Sequence, residues 1–527
     1  MLRRGFVTAG VAVALALPAA ASAHPERPVQ FPDGSGDWSN FRSDFPEYRS
    51  RGPSQVVCKP DSRRRIVRYS NRRLRAKLLR VLRRCEFEHI QQAVNAASNG
   101  DRILILPGVY REEPSREVPN PDPRCEDMYV QADGKEVMTP SYQYELTCPN
   151  SRNLIAILGD TDGDGRCDAK CNLQIEGLGR RARDVLVEGD VRKTNVFKAD
   201  RADGVYFKNL TAQYSDYNNF YVLETDGFRF DHIVSRWSNE YGFLSFVSDH
   251  GIYEDLEAYG AGDAGVYPGS GPPTNGERFG IIIRRVNAYG NLQGNSGSAA
   301  SGTLYEDNRF HHNGVGIVVD SFSTGHPGSP QDHVTWTGNE IYSNNVDFFT
   351  PELDEYCKKP YVERDPKIVC PAIMVPIGTG LLIAGGNDNL IEGNRIWDNW
   401  RYGAMLFFVE AFFRGEQDPA KTFDTSHRNV YRENVMGIAR DGSRAPNGTD
   451  FWWDEAGSGN CWSGNTRHGG APATGDPSPL PECPGSDIGL PVQPLKHAFL
   501  VPCATWDPQT NTDPPGCDWF RLPPKPE

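Results

Sequence analysis

Phe207-Lys-Asn-Leu210-Thr-Ala212 is the first clear statement of a phrase that keeps returning. It recurs as Phe230-Asp-His-Ile233-Val-Ser235, Tyr253-Glu-Asp-Leu256-Glu-Ala258 and Ile283-Arg-Arg-Val286-Asn-Ala288. Asn then takes the central place, in Tyr305-Glu-Asp-Asn308-Arg-Phe310, Trp336-Thr-Gly-Asn339-Glu-Ile341, Ile391-Glu-Gly-Asn394-Arg-Ile396 and Tyr431-Arg-Glu-Asn434-Val-Met436. Cys461-Trp-Ser-Gly-Asn465 reads as a last, worn copy. The first two steps are 23 residues each, from Leu210 to Ile233 to Leu256, and later steps lengthen by insertion. Each phrase is too short for a helix and alternates apolar with polar residues, as a strand does. Repetition at this period marks a solenoid in which each copy is one coil.

A coil of about 22 residues has room for three short strands, stacked in parallel at roughly 4.8 Å. Stacking sets each residue over its equivalent one coil away. Leu210, Ile233, Leu256 and Val286 then form an internal aliphatic ladder. Asn308, Asn339, Asn394 and Asn434 continue it as an amide ladder, each side chain bonding its neighbours at a turn. These phrases resemble the repeats of the pectate-lyase-like superfamily, which implies an all-β solenoid, a right-handed parallel β-helix. The columns cover roughly residues 170–470.

Outward from the repeats, Phe87 to Tyr110 also resembles the opening of that superfamily: an amphipathic helix with Ile90, Ala93, Val94 and Ala97 on one face, Gly100-Asp, the aliphatic strand Ile103–Leu106, then Pro107-Gly-Val-Tyr110. The resemblance implies an N-terminal capping helix, and an open solenoid end needs one to cover its core. Upstream, Met1 to Ala23 has the form of an export leader: Arg3 and Arg4, an apolar run from Val7 to Leu17, and Ala21-Ser-Ala23. The expected layout is a leader over 1–23, a basic extension over 24–84, and the β-helix over 85–470 with insertions near 112–153, 346–376 and 410–426. A Pro-, Gly- and Cys-rich C-terminal cover occupies 471–527. The leader's apolar run is too short to span a bilayer and no later segment is long enough, so release outside the cell is expected.

Twelve cysteines in an exported chain point to disulfides. Nearest-neighbour pairing gives Cys58–Cys85, Cys125–Cys148, Cys167–Cys171, Cys357–Cys370, Cys461–Cys483 and Cys503–Cys517, although spacing alone does not prove it. The formal net charge is −13, yet Arg49 to Arg84 holds fourteen basic residues and one acidic, Asp61. The rest of the chain beyond Ala23 carries 40 basic against 68 acidic residues. Leu74, Leu78, Leu79, Val81 and Leu82 among these arginines make a basic helix with an apolar side. It is either an arm for an anionic wall polymer or a helix lying on the acidic body of its own protein; the second is expected.

Asp160-Thr-Asp162-Gly-Asp164-Gly-Arg-Cys-Asp168 sets carboxylates at alternate positions, as hard-cation loops do. Cys171 at the twelfth place excludes an EF-hand, and the spacing is more similar to thrombospondin type 3 repeats. Structural Ca2+ on Asp160, Asp162, Asp164 and Asp168 is expected, with a plain acidic turn as the alternative.

Three residues after successive ladder positions stand Tyr259, Tyr289, His311, Tyr342 and Trp397. A column of rings on one outer face would suit the apolar faces of sugars, unless an insertion covers it and makes it a second core. Asp216, Glu240 and Asp263 fall six or seven residues after their ladder positions. On neighbouring coils they would bracket the separations of a glycosidase carboxylate pair; the alternative is ordinary turn carboxylates. Asp231-His232 and Arg284 or Arg285 resemble the Asp-His pair and later Arg of one pectate lyase family, but the surrounding Trp and the Arg-x-Pro context are missing. Neither the Gly-His-Gly of polygalacturonases nor the Asp-Pro-His of alginate epimerases is present, so no known site transfers residue by residue.

The sequence thus implies an exported monomer that binds an extracellular polysaccharide, with cleavage by a lyase or hydrolase left open. The alternative is a non-catalytic envelope or matrix rod. Its acidic body excludes nucleic acid as the expected partner.

Overall fold

A computed structural model describes residues 26–32, 45–132, 134, 136–323, 325–485, 496, 500, 503, 517–519 and 521–527. The leader Met1–Ala23 lies outside them. Three long parallel sheets of twelve, ten and eleven strands run side by side. Successive coils give one strand to each, as in Val205–Lys208, Thr211–Gln213 and Asn218–Leu223, then Asp226–Asp231, Val234–Arg236 and Tyr241–Phe246. With every crossover parallel and of the right-handed sense that such connections take, the chain is a right-handed parallel β-helix.

The register is the one the repeats demand. In the twelve-stranded sheet Phe207, Phe230, Tyr253, Ile283 and Tyr305 pair in turn, and all five are buried in one continuous core. The ladder at the following turn is interior too, from Leu210 and Ile233 to Leu256 and Val286. Val286 N–H donates to Asn308 Oδ1 at 2.9 Å. From there amide bonds amide: Asn308 to Asn339 at 2.9 Å, Asn339 to Asn394 at 2.9 Å, Asn394 to Asn434 at 3.1 Å and Asn434 to Asn465 at 2.8 Å. Two further ladders, unforeseen in the sequence, flank it at the other turns: Asn291–Asn313–Asn344–Asn399–Asn447 and Asn389–Asn429–Asn460. Their signal is an Asn five residues before or after the phrase's own, as in Asn389, Asn394 and Asn399.

Between the first and second strand of each coil, one residue takes a left-handed conformation: Asn209, His232, Asp255, Arg285, Asp307 and their successors, at φ of 52° to 56° in these five. A non-glycine residue is penalised there by roughly 1–2 kcal/mol. The penalty recurs on coil after coil, so it belongs to the architecture.

All six expected disulfides form, and no cysteine among the described residues is free. Three helices stand before the first long strands: α1 (Ser62–Val67), α2 (Arg72–Leu82) and α3 (Ile90–Ala96). The predicted face of α3 (Ile90, Ala93, Val94) enters the main core beside Ile103, Leu154 and Ile157. The apolar side of α2 buries Leu78 with Val56, Ile66, Leu104 and Leu106. Residues 26–32 lie across the outside of the eleven-stranded sheet, where Val29 packs with Tyr221, Leu244 and Tyr267. Arg27 there pairs with Asp200 at 2.8 Å. The solenoid reaches Gly475–Asp476, a few residues past the expected end, because that strand pairs with Thr449–Trp453. Cys503, Cys517 and Trp519 cover the outer face of the same sheet near Met405 and Phe407.

Candidate functional site

Tyr259, Tyr289, His311, Tyr342 and Trp397 occupy one column of the ten-stranded sheet, as the count required. Their orientation corrects the expectation of a sugar platform. Neighbouring rings are face to face, with centroids 5.2, 5.5, 4.7 and 4.2 Å apart along the series. Coils about 4.8 Å apart leave room for one ring thickness, so adjacent rings lie flat on each other and turn their edges outward. The faces a sugar would stack on are taken. Trp397 is only 7% exposed, beside a loop whose Ala445 carbonyl accepts from Asp398 N–H at 2.9 Å. Burial holds the His311 pKa down at about 4, so this ring stays neutral within the stack. Tyr342→Ala should therefore act on stability: losing two stacked neighbours and their contact area should cost about 2–3 kcal/mol in chemical unfolding. A cost under about 0.5 kcal/mol would return the rings to a surface role.

The three carboxylates do not form one column. Asn218 pairs with Tyr241, which sets Asp216 level with Asn239 and leaves Tyr217 level with Glu240. Both coils run eight residues from the ladder to this strand, so Asp216, at an offset of six where Glu240 and Asp263 stand at seven, falls one position early. Asp216 is raised to about 6 by burial, opposed by Arg152 and Arg364. Arg364 belongs to the 346–376 insertion, which also donates Ala372 N–H to the Gly262 carbonyl at 3.0 Å. Glu240 is half-buried. Asp263 is sealed, 2% exposed, accepting from Tyr241 Oη at 2.9 Å and Gln293 Nε2 at 2.7 Å. Burial lifts it to about 7. A carboxyl so enclosed is placed to hold the outer cluster together and has no open path to a glycosidic oxygen.

Of the four expected metal ligands, Asp160, Asp162 and Asp164 bring oxygens within 4.8 Å of one another. Asp168 is not among them; its carboxylate accepts from Thr161 N–H at 2.9 Å and Thr161 Oγ1 at 2.5 Å. Asp160 also accepts from Gly163 N–H at 2.6 Å, Gly165 N–H at 2.9 Å and the Arg201 guanidinium at 2.7 Å. Calcium takes six to eight oxygens. The loop supplies a partial set, and one member already has a cationic neighbour.

The most concentrated open chemistry lies on the outer face of the twelve-stranded sheet. Lys208, Asp231, Glu254 and Arg284 form one column there, and His232, Asp255 and Arg285 follow on the left-handed turns. Asp231 is the hub. It accepts from Tyr206 Oη at 2.6 Å, from Lys208 Nζ and from His232 Nδ1. Burial pushes the Asp231 carboxyl up, but its bonds from Lys208, Tyr206 and His232 outweigh this and leave it below the ordinary range. Asp255 is drawn down chiefly by hydrogen bonds from Arg285, at 2.9 Å to each oxygen. Glu254 gathers Arg229, Arg284 at 2.8 Å and Arg285 at 3.1 Å.

His232 is the most open of the group, with its side chain 60% exposed. With Nδ1 turned to Asp231, Nε2 points away as a free acceptor. Asp231, His232 and Asp255 could also converge on a metal, but Lys208 and Arg285 already neutralise the two carboxylates. An open cleft of about 290 Å³ lies beside this group, lined by Lys77 of α2, Glu176, Gly177, Gly179, Arg180, Lys208 and His232 among others. The Asp-His pair and the two arginines were visible in the sequence; Lys208, Tyr206 and the cleft were not, because they come from other coils and from α2.

No family model and no curated protein matches this sequence. Among solved structures, the A-module of Azotobacter vinelandii mannuronan C-5 epimerase AlgE4 is 11% identical, covering 72% of this chain and 84% of that chain, with a TM-score of 0.42. The AlgE6 A-module of the same organism is 13% identical over 73% of this chain and 92% of that one, at 0.41. The catalytic unit of a GH87 α-1,3-glucanase from Streptomyces thermodiastaticus is 12% identical over 82% and 66%, at 0.37. Likeness at these values carries nothing about chemistry.

Proposed function

We propose that this protein is an exported enzyme that binds an acidic extracellular polysaccharide across the outer face of the twelve-stranded sheet and takes a proton from a uronate residue at His232. The observation that carries the reading is His232 itself: an open imidazole oriented through Nδ1 by Asp231, at the mouth of a cleft bordered by Lys77, Arg180 and Lys208. Removing the proton beside a carboxylate needs a base with a free lone pair and cations where negative charge grows. His232 Nε2 offers the lone pair, and Lys77 and Arg180, exposed on the cleft's border, offer the charge. Expelling the neighbouring glycosidic oxygen from the carbanion yields a double bond and a new reducing end. Returning the proton to the opposite face yields an epimer.

The test is incubation with polygalacturonate, alginate and neutral glucans in deuterated buffer, reading unsaturated uronates, reducing ends and deuterium uptake. Unsaturated uronates, or deuterium uptake without shortening, support the proposal. Reducing ends with neither would move the chemistry to a hydrolytic carboxylate such as Asp216 or Glu240. No product and no binding from any polymer favours the rigid-rod reading. Export is supported by the six disulfides, and no helix among the described residues is long and apolar enough to cross a membrane.

A structural calcium ion on Asp162 and Asp164, with Asp160 as a shared ligand, belongs to the same proposal. Chelator should lower the melting temperature, since a ligand at a hundred times its Kd stabilises by roughly 2.7 kcal/mol. Asp162→Asn with Asp164→Asn should remove that sensitivity. A melt unchanged by chelator overturns the ion.

A further inference from the structure

The basic extension lies on the body of its own protein as expected, but it is held there by apolar packing and leaves most of its cations outward. α2 rests on the solenoid through its apolar side alone, and Cys58–Cys85 ties the segment down. Arg63, Arg64, Arg68, Arg72, Arg73, Lys77, Arg80, Arg83 and Arg84 are all exposed. Of these, among the described residues, only Arg64 has an acidic partner, Asp61 of its own segment at 3.6 Å. Like charges left facing solvent on a fixed scaffold repel one another, and only an outside anion relieves this. Arg73, Lys77 and Arg80 fall at helical spacings of four and three on α2, a stripe roughly 10 Å long at 1.5 Å per residue. Lys77, within that stripe, also borders the cleft that ends at His232.

We propose that α1 and α2 form an exosite for a carboxylated polysaccharide, gripping the stretch of polymer that leads into the His232 cleft. The polymer class rests on the proposed function; the surface itself rests on the unpaired cations. Two other polyanionic partners fit worse. Single-stranded nucleic acid is held by exposed rings that stack on bases, whereas Tyr69, the one ring on α1, α2 or the turn between them, is half-buried with its hydroxyl donating to Asp184 at 2.7 Å. A membrane-surface helix must spend its apolar side on lipid, and that of α2 is already turned inward on the body.

The test replaces Arg72, Arg73, Arg80 and Arg83 together by Gln, leaving the cleft residue Lys77 in place, with an all-Lys counterpart as the charge-preserving control. Long polygalacturonate and alginate, their trisaccharides, duplex and single-stranded DNA, and phosphatidylglycerol vesicles are titrated at low and moderate salt. The Gln variant should bind long polyuronate about tenfold or more weakly with a shallower salt dependence. It should bind and turn over trisaccharide as the wild type does, and the Lys variant should bind the long polymer normally. Loss of long-chain binding in the Gln variant supports the exosite even where no turnover is found, which would sink only the His232 chemistry. Equal binding by the Gln variant and wild type, no polyuronate binding by either, or tighter binding to DNA or vesicles each overturns it.

Discussion

Asn339→Ala is expected to destabilise the protein by about 4 kcal/mol, the largest single-residue loss predicted for the solenoid. Asn339 is fully buried. Its Oδ1 accepts from Asn308 N–H at 3.1 Å and Asn308 Nδ2 at 2.9 Å. Its Nδ2 donates to the Tyr305 carbonyl at 3.0 Å and Asn394 Oδ1 at 2.9 Å. Truncation deletes four hydrogen bonds in a site without bulk water, and each stranded buried partner costs roughly 1–3 kcal/mol. The Asn308 amide can still reach the Ile283 carbonyl, at 2.9 Å, and Asn394 Oδ1 still accepts from Asn339 N–H, at 3.0 Å, which keeps the sum below four full penalties. Asn339→Leu, matching the size of the aliphatic rungs, should be nearly as harmful because Asn308 N–H still lacks an acceptor. Urea unfolding measures both; a loss under about 1 kcal/mol would mean the ladder is not a cooperative unit.

The largest expected effect on activity is at His232. On whichever polyuronate the product assay identifies, His232→Ala should lower kcat by about 10²- to 10⁴-fold, the range of a lost general base. Its side chain stands mostly in solvent, so the melting temperature should hardly move. Asp231→Asn keeps the shape but removes the charge that orients the imidazole and pairs with Lys208; a smaller loss of kcat is expected from that positioning residue. Activity within twofold of wild type in His232→Ala would remove this site and return attention to the carboxylates near the 346–376 insertion.

The ring column was readable because membership of a column needs only a count from the repeat. That its rings lie face to face is a consequence of coil spacing, which leaves one ring thickness between neighbours in an unbroken run. The carboxylate column fails by one residue at Asp216, which stands six residues after its ladder position where Glu240 and Asp263 stand seven after theirs.

What the sequence determined by itself is the winding: the period and the interior ladder from Leu210 to Asn434. These depend on residues one coil apart, and a repeat carries that relation in its spacing. Only the tertiary structure decided which outward residues remain open. The folded insertion over Gly262, the loop beside Trp397, the segment over the eleven-stranded sheet and α2 next to the cleft are placed by long-range contacts that follow no period. His232 and the arginines of α2 stay in solvent, and Asp263 does not, because of where those segments came to rest.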